Sequence, residues 1–454
     1  MSKNDLALEK LSALFQKELR ELVATRSFWV MLLVLCPLVG FSFIEAVFIF
    51  GHAGESIIGN EVLLGRLSPL DGIVMPTFSA MYLSEVFLFP FVAIRLLGVE
   101  KQFGSIKFLL QICPQISVAI LVKALIALLA FLFSLTPAIL ALGIWHAMGG
   151  YLYMPEVYVL LLGHLLFALL ITSIAFFSVS VTDSPQTAAI VTLAFTISSW
   201  VLEFAGQNQS TLNAFSWLSM TAHLRLFESA LFSLQTVLGF LTASAALLAL
   251  AAIWLNSAYP ASQKLRRSLI LSIVVSVVAL AISQAYYFKD FSENRENSFN
   301  PKNEAQLRKI NLPLHIDIRL NPDDSVSVDF ERNFLSKLRR VLKDLTVTYT
   351  IPAEPGPDGQ TDPNFGQITY DYNGVRLQSH DIGPRRALEV LHMLTGTNLE
   401  GEVDSPYPGH PFKGDATQYR YLFYGLMPCL IILSWIGSQR CLRKRRGRVS
   451  NVGT

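Results

Sequence analysis

Three carboxylates stand inside apolar runs: Glu45 in "VGFSFIEAVFIF", Glu85 in "MYLSEVFLFPF" and Glu203 in "SSWVLEFAG". An ionisable group at mid-membrane costs about 2.5–3.5 kcal/mol on insertion scales, so it is kept where it faces protein, a hydrated cavity or the interface. At about 1.5 Å of rise per residue, Glu45 falls near the outer end of an outward run, Glu85 just inside an inward one and Glu203 near the outer end of another. Two uses fit that shared depth: a cluster lining an outer gate or substrate route, or three groups hydrated separately at the interface. Toward the inner side, Arg95 and Lys123 are expected to extend to the headgroups.

No catalytic constellation accompanies these groups. A phosphate-cradling loop needs Gly-Lys after its glycine spacer, and that dipeptide occurs nowhere; the nearest spacing, Gly396 to Gly401, runs into Glu402, which repels phosphate. HExxH and GxSxG are absent as well. Of the eight histidines, His315, His380, His392 and His410 share one polar segment without metal-ligand spacing and read as surface residues. The four cysteines, Cys36, Cys113, Cys429 and Cys441, lie in or beside apolar runs, form no CxxC pair and imply no disulfide framework. No catalytic, cofactor or metal residue is assigned.

The elements that hold the carboxylates are membrane spans. The 454 residues are 52% hydrophobic and 15% charged, against about 25% charged for a soluble domain. Apolar runs long enough to cross a bilayer fall near 28–50, 79–98, 118–147, 157–181, 187–205, 233–255, 268–288 and 420–438. The 118–147 run contains Pro137 and predicts a kink or a shortened span. Lys and Arg concentrate in the first tail, in loop 99–117, in loop 256–267 and in the ending "RCLRKRRGR", which puts both termini in the cytoplasm. Before the first span, Leu8, Leu11, Leu14, Phe15, Leu19, Leu22 and Val23 recur at helical spacing, so 1–27 reads as an amphipathic interfacial helix; a soluble helix packed on a partner carries the same stripe.

The expected fold is mainly α: a polytopic membrane protein of about eight helices with a small α/β domain outside the cytoplasm. Its parts are the helix 1–27, a six-helix unit 28–256, a linker and seventh span 257–288, the α/β domain 289–419, an eighth span 420–438 and a basic tail 439–454. Within 289–419, "LPLHIDIRL", "VDFERNFLSKLRRVLKDL" and "TVTYTI" predict a βαβ start, and "QITYDY", "NGVRLQS" and "PRRALEVLHML" predict a hairpin and a further helix. The fifth loop, "GQNQSTLNAFSWLSMTAHLRLFESALFS", is too apolar for a linker. It predicts a re-entrant or interfacial helical pair, or packing against the outer domain, with Arg225 and Glu228 spaced to pair.

Loop 99–117 reads "VEKQFGSIKFLLQICPQIS". Ile106, Leu109, Leu110 and Cys113 follow the i, i+3, i+4, i+7 template between Gly104 and Pro114. About two turns of helix have little stability alone and must dock on a surface, either the membrane or another protein. Taken with the surface helix and six spans, "KELRELVATRSFW" (Lys17 to Trp29), Glu100, Gly104, Ser105, Leu109, Leu110, Pro114, Ser117 and Lys123 resemble the type-2 ABC exporter permease family over roughly the first 256 residues. Ser105 stands where that family commonly has Thr, a change that keeps the capping hydroxyl. The second unit resembles, by architecture and by "LPLHIDIRL" to "TVTYTI", a shortened extracytoplasmic part of gliding-motility-type ABC accessory proteins.

These resemblances imply a transport subunit in a bacterial inner membrane, with ATP and Mg bound by a separate ABC-type ATPase. That ATPase would seat on loop 99–117 through Glu100, Gly104, Ser105, Ile106, Leu109, Leu110 and Cys113. Partners would further include a second permease copy or homologue, membrane lipid and an envelope protein at 289–419, with no nucleic acid. A rival expectation is a membrane-anchored scaffold whose outer domain recruits envelope partners; an integral membrane enzyme lacks a nucleophile-and-base pair.

Overall fold

The computed structural model describes residues 3–56, 67–105, 115–208, 218–322, 324–342, 344–351, 365–397 and 407–450. It is mainly helical, with a small sheet region. Among the described residues, eight helical segments are long and apolar enough to cross a membrane, which makes this a multi-pass membrane protein by length and composition.

Helix α1 (Lys3–Ala24) turns into α2 (Arg26–Ser56) at the single residue Thr25. Thr25 donates its hydroxyl to Glu21 O at 2.8 Å and the Trp29 indole donates to Val23 O at 2.7 Å, so the carbonyls left at the end of α1 are partnered. The second span is a π turn (Leu70–Val74) followed by α3 (Met75–Phe87) and α4 (Phe89–Gln102). Its break at Leu88 comes from Pro90, which has no N–H for the carbonyl of Val86; the Thr196 hydroxyl reaches that carbonyl at 3.4 Å. The third span divides in the same way into α5 (Ile116–Ser134) and α6 (Thr136–Ala147), where Pro137 frees Phe133 O and Thr136 Oγ1 donates to it at 2.7 Å. The kink expected at Pro137 is therefore present.

Helix α7 (Met154–Val181) lies at the centre and is apolar around its circumference, as a helix walled by others must be. Helices α8 (Pro185–Asn208), α9 (Met220–Glu228) and, after the short strand β1 (Leu231–Ser233), α10 (Leu234–Leu255) pack against it. Helix α11 (Ala261–Ile282) packs on α10 and buries none of its own residues, so its aliphatic surface is available to lipid.

Strand β2 (Phe288–Asp290) pairs antiparallel with β1 and straps the sheet domain to the bundle. Then come α12 (Pro301–Leu307), β3 (Leu314–Ile318), α13 (Ser325–Phe330), a π turn, α14 (Ser336–Val341), β4 (Leu345–Tyr349), β5 (Ile368–Tyr372), β6 (Val375–Ser379) and α15 (Pro384–Thr395). Sheet order is β4-β3-β5-β6, with β3 and β4 parallel and the rest antiparallel. The predicted βαβ start is formed by β3, α13–α14 and β4. The hairpin turns at Asn373-Gly374, both with positive φ, which matches the twist of the strands. Ile316, Ile318, Phe334, Leu338, Tyr370 and Leu391 fill a core separate from that of the bundle.

The last helix, α16 (Met427–Ser450), returns alongside α2. Cys36 Sγ lies 3.4 Å from Phe423 O, and Gln439 Nε2 donates to Ala24 O at 3.2 Å, so the first and last spans run antiparallel. Gly40 makes this approach possible, because a Cβ there would fall 2.3 Å from Phe423 Cβ. Gly40→Ala is expected to cost about 1–3 kcal/mol through overpacking, seen as a lower melting temperature of the detergent-purified protein.

Candidate functional site: two buried ion networks

The end of the bundle that carries α1 holds the first network. Glu100, in the last turn of α4, is nearly buried and lies 2.6 Å from Lys17 Nζ of α1 and 3.1 Å from Lys123 Nζ of α5. Lys123, 1% exposed, also bonds Glu18 Oε2 at 2.5 Å and Leu96 O at 2.8 Å. It does not extend to the headgroups as expected from sequence; Glu18, fully buried on α1, gives the ammonium a partner inside. Arg95 is exposed. Partial burial disfavours the charge on Lys17, but its bond to Glu100 and the carboxylates of Glu18 and Glu21 outweigh this and hold it above the ordinary lysine range. Glu18, Glu21 and Glu100 bring oxygens within 4.8 Å of one another, a spacing that suits a hard cation, and here the lysine ammonium groups supply the positive charge.

The neighbouring Lys101 anchors α4 in another direction. Its ammonium donates to the carbonyls of Val179, Ser180 and Thr182 at 2.9, 2.9 and 2.6 Å, capping the C-terminal end of α7. Two consecutive residues thus tie the end of the second span to α1, α5 and α7. Gly104 follows with φ +71°, donates to Lys101 O at 3.1 Å and ends α4, a stop that a Cβ would strain. Ser105 comes directly after it; Ile106, Leu109, Leu110 and Cys113 lie outside the described residues.

The second network crosses the middle of the bundle. Glu85 of α3 and His164 of α7 are buried, with His164 Nδ1 2.9 Å from Glu85 Oε1. On the other side of the ring, Nε2 lies 3.5 Å from Glu228 Oε1 of α9. Glu228 accepts from Arg225 Nη1 at 2.6 Å, the pair expected from their spacing, and Arg225 Nε reaches Glu203 Oε1 at 3.3 Å. Its guanidinium also lies over the Tyr82 ring, 5.5 Å from the centroid. The Tyr82 and Ser199 hydroxyls each stand 3.1 Å from Thr221 Oγ1, and Ser219 caps α9 by accepting from Ala222 N at 3.1 Å. Helices α3, α7, α8 and α9 therefore share one polar chain.

Glu85 and Glu203 are brought into this chain; Glu45 is exposed on α2 and stands apart from it. Glu85 is also deeper than its apolar run implied. The span begins at Leu70, since the π turn absorbs Asp71 and Gly72, and this places Glu85 near mid-span. Helix α9 is the described helix of the fifth loop; it packs on α7 and α8, and β1 directly after it pairs with β2, while 209–217 lie outside the described residues. Sequence reading passed over His164, the one histidine inside the fourth apolar run, a signal of the same kind as the three carboxylates. Glu18 and Lys17 were hidden in the polar stripe of α1, where nothing local marks a buried charge. His315, His380 and His392 are exposed as expected, but His410 is half-buried, stacked on Tyr151 at 3.8 Å and paired with Glu293 at 3.1 Å.

Comparison with protein-family models, with curated proteins and with solved structures gives no match.

Proposed function

We propose that this chain is the membrane-spanning subunit of an ABC-type exporter in a bacterial inner membrane, driven by a separate ATPase that binds ATP and Mg and seats on the segment after α4. The observation that carries the reading is the network joining Glu100 to Lys17, Glu18 and Lys123. A force delivered at the end of α4 would pass to both flanking spans, the surface helix and the central helix, because Glu100 bonds Lys17 and Lys123 and Lys101 bonds the end of α7 there. The amphipathic α1 lies at the same end, and the lysine and arginine bias of the loops supports a cytoplasmic position for it. The Glu85–His164–Glu228–Arg225–Glu203 chain then links inward spans to α9 near the sheet domain, a route by which rearrangement at one end reaches the other. Two copies, or this chain with a homologue, would form the transport path.

Solubilisation in mild detergent is expected to co-purify a stoichiometric P-loop ATPase. Leu109→Asp or Leu110→Asp should release it, because a charge on the apolar stripe opposes docking. Glu100→Gln should retain the complex while reducing substrate-stimulated hydrolysis. A protein that purifies without any ATPase, from a membrane where its neighbours are intact, overturns the reading.

A further inference from the structure

The sheet domain carries a surface that takes no part in either network. One face of the sheet is buried by α13, α14 and α15. The period of two along a strand then decides the composition of the other face. Register sets His315, Asp371 and Arg376 in one row across β3, β5 and β6, and Asp317, Thr369 and Gln378 in the next. No aliphatic or aromatic side chain of these strands points to this face. A depression of about 440 Å³ opens on it, within the size range of small-ligand sites.

Several of the polar groups bond one another. Asp371 accepts from Arg376 Nε at 2.7 Å, Asp317 accepts from the hydroxyls of Thr348 and Thr350 at 2.9 and 2.8 Å, and Gln367 donates to Gln378 at 3.0 Å. These side chains are hydrogen-bonded to one another and still keep spare capacity, since a carboxylate has about four acceptor sites and a guanidinium five N–H groups. Charge is balanced across the depression, with Asp317 and Asp371 against Arg319 and Arg376. That balance disfavours a strongly anionic or cationic ligand, and the lack of an apolar recess on this face among the described residues disfavours an acyl chain or an apolar peptide.

We propose that this open face binds a neutral, hydroxyl-rich ligand, an oligosaccharide or a segment of glycan, through paired acidic, basic and amide side chains. Adjacent sugar hydroxyls both donate and accept, matching a surface that offers acceptors and donors side by side. The proposal is independent of the transport reading.

Titration calorimetry on the full-length protein in nanodiscs tests it. The probes are a cello-oligosaccharide and a fully N-acetylated chito-oligosaccharide, with an oligouronate and a mixed-charge peptide of similar length as comparators. At least one neutral oligosaccharide is expected to bind with a Kd of about 1 mM or tighter. Asp317→Ala and Gln378→Ala should each weaken that binding about tenfold or more without changing the melting temperature. If Asp317→Ala unfolds, Gln378→Ala alone decides, its side chain being exposed. Absence of binding by both neutral probes, tighter binding of either charged comparator, or unchanged affinity in a folded variant each refutes the proposal.

Discussion

Lys123→Met is expected to destabilise the protein by about 3–5 kcal/mol, the usual consequence of removing one partner of a buried ion pair. The side chain has almost no contact with solvent, and its ammonium is shared by Glu18, Glu100 and Leu96 O. Methionine fills a similar volume, so the loss is electrostatic: Glu18, fully buried, keeps only Lys17 beside it. The double change Lys123→Met, Glu18→Met should recover most of the stability, since replacing a buried pair by apolar groups is often neutral. Denaturation of the detergent-solubilised protein distinguishes the cases. A single variant within about 0.5 kcal/mol of the parent, the range of a surface substitution, shows that the cluster is not holding α1 to α4 and α5.

A loss of similar size is expected for His164→Leu. The imidazole separates the carboxylates of Glu85 and Glu228, and without it two buried acids face each other with Arg225 bonded to only one of them. Burial of an unpaired carboxylate costs several kcal/mol, so the variant must take up a proton, admit water or release α9. Glu85→Gln added to His164→Leu should restore a large part of the stability, whereas Glu45→Gln, on an exposed side chain of α2, should leave both melting and substrate-stimulated hydrolysis near the parent values. Faster proteolysis near α9 in His164→Leu, reversed in the double variant, identifies the helix that is released.

Much of the architecture was legible from hydropathy because each span and each strand declares itself locally. The long apolar runs, the Pro137 break, the alternation in "LPLHIDIRL" and the pair Arg225–Glu228 depend on residues at most a few turns apart. The networks did not declare themselves in that way. Glu18 meets Lys123 across 105 positions of chain and Glu85 meets His164 across 79, so neither partner can be read from its neighbours. Lys123 followed the rule for a solvated lysine near a span end until a buried glutamate on another helix made the interior a better place for it. The depth of Glu85 departs from its apolar run for a related reason: Asp71, Gly72 and Pro76 interrupt the run but not the helical path, which takes Asp71 and Gly72 into a π turn and Pro76 into the first turn of α3.

The seat of the last span also bears on how the chain is made. Cys36 and Phe423 are 387 positions apart, yet they meet in the finished bundle. At about 5–20 residues per second, the face of α2 around Gly40 waits on the order of tens of seconds after its own synthesis for its partner to arrive. Six further spans and the sheet domain are produced in that interval, before the groove receives Phe423. Closure of this groove therefore waits on the span that begins near Phe423, and a truncation between α11 and Phe423 leaves the face of α2 around Gly40 without that partner.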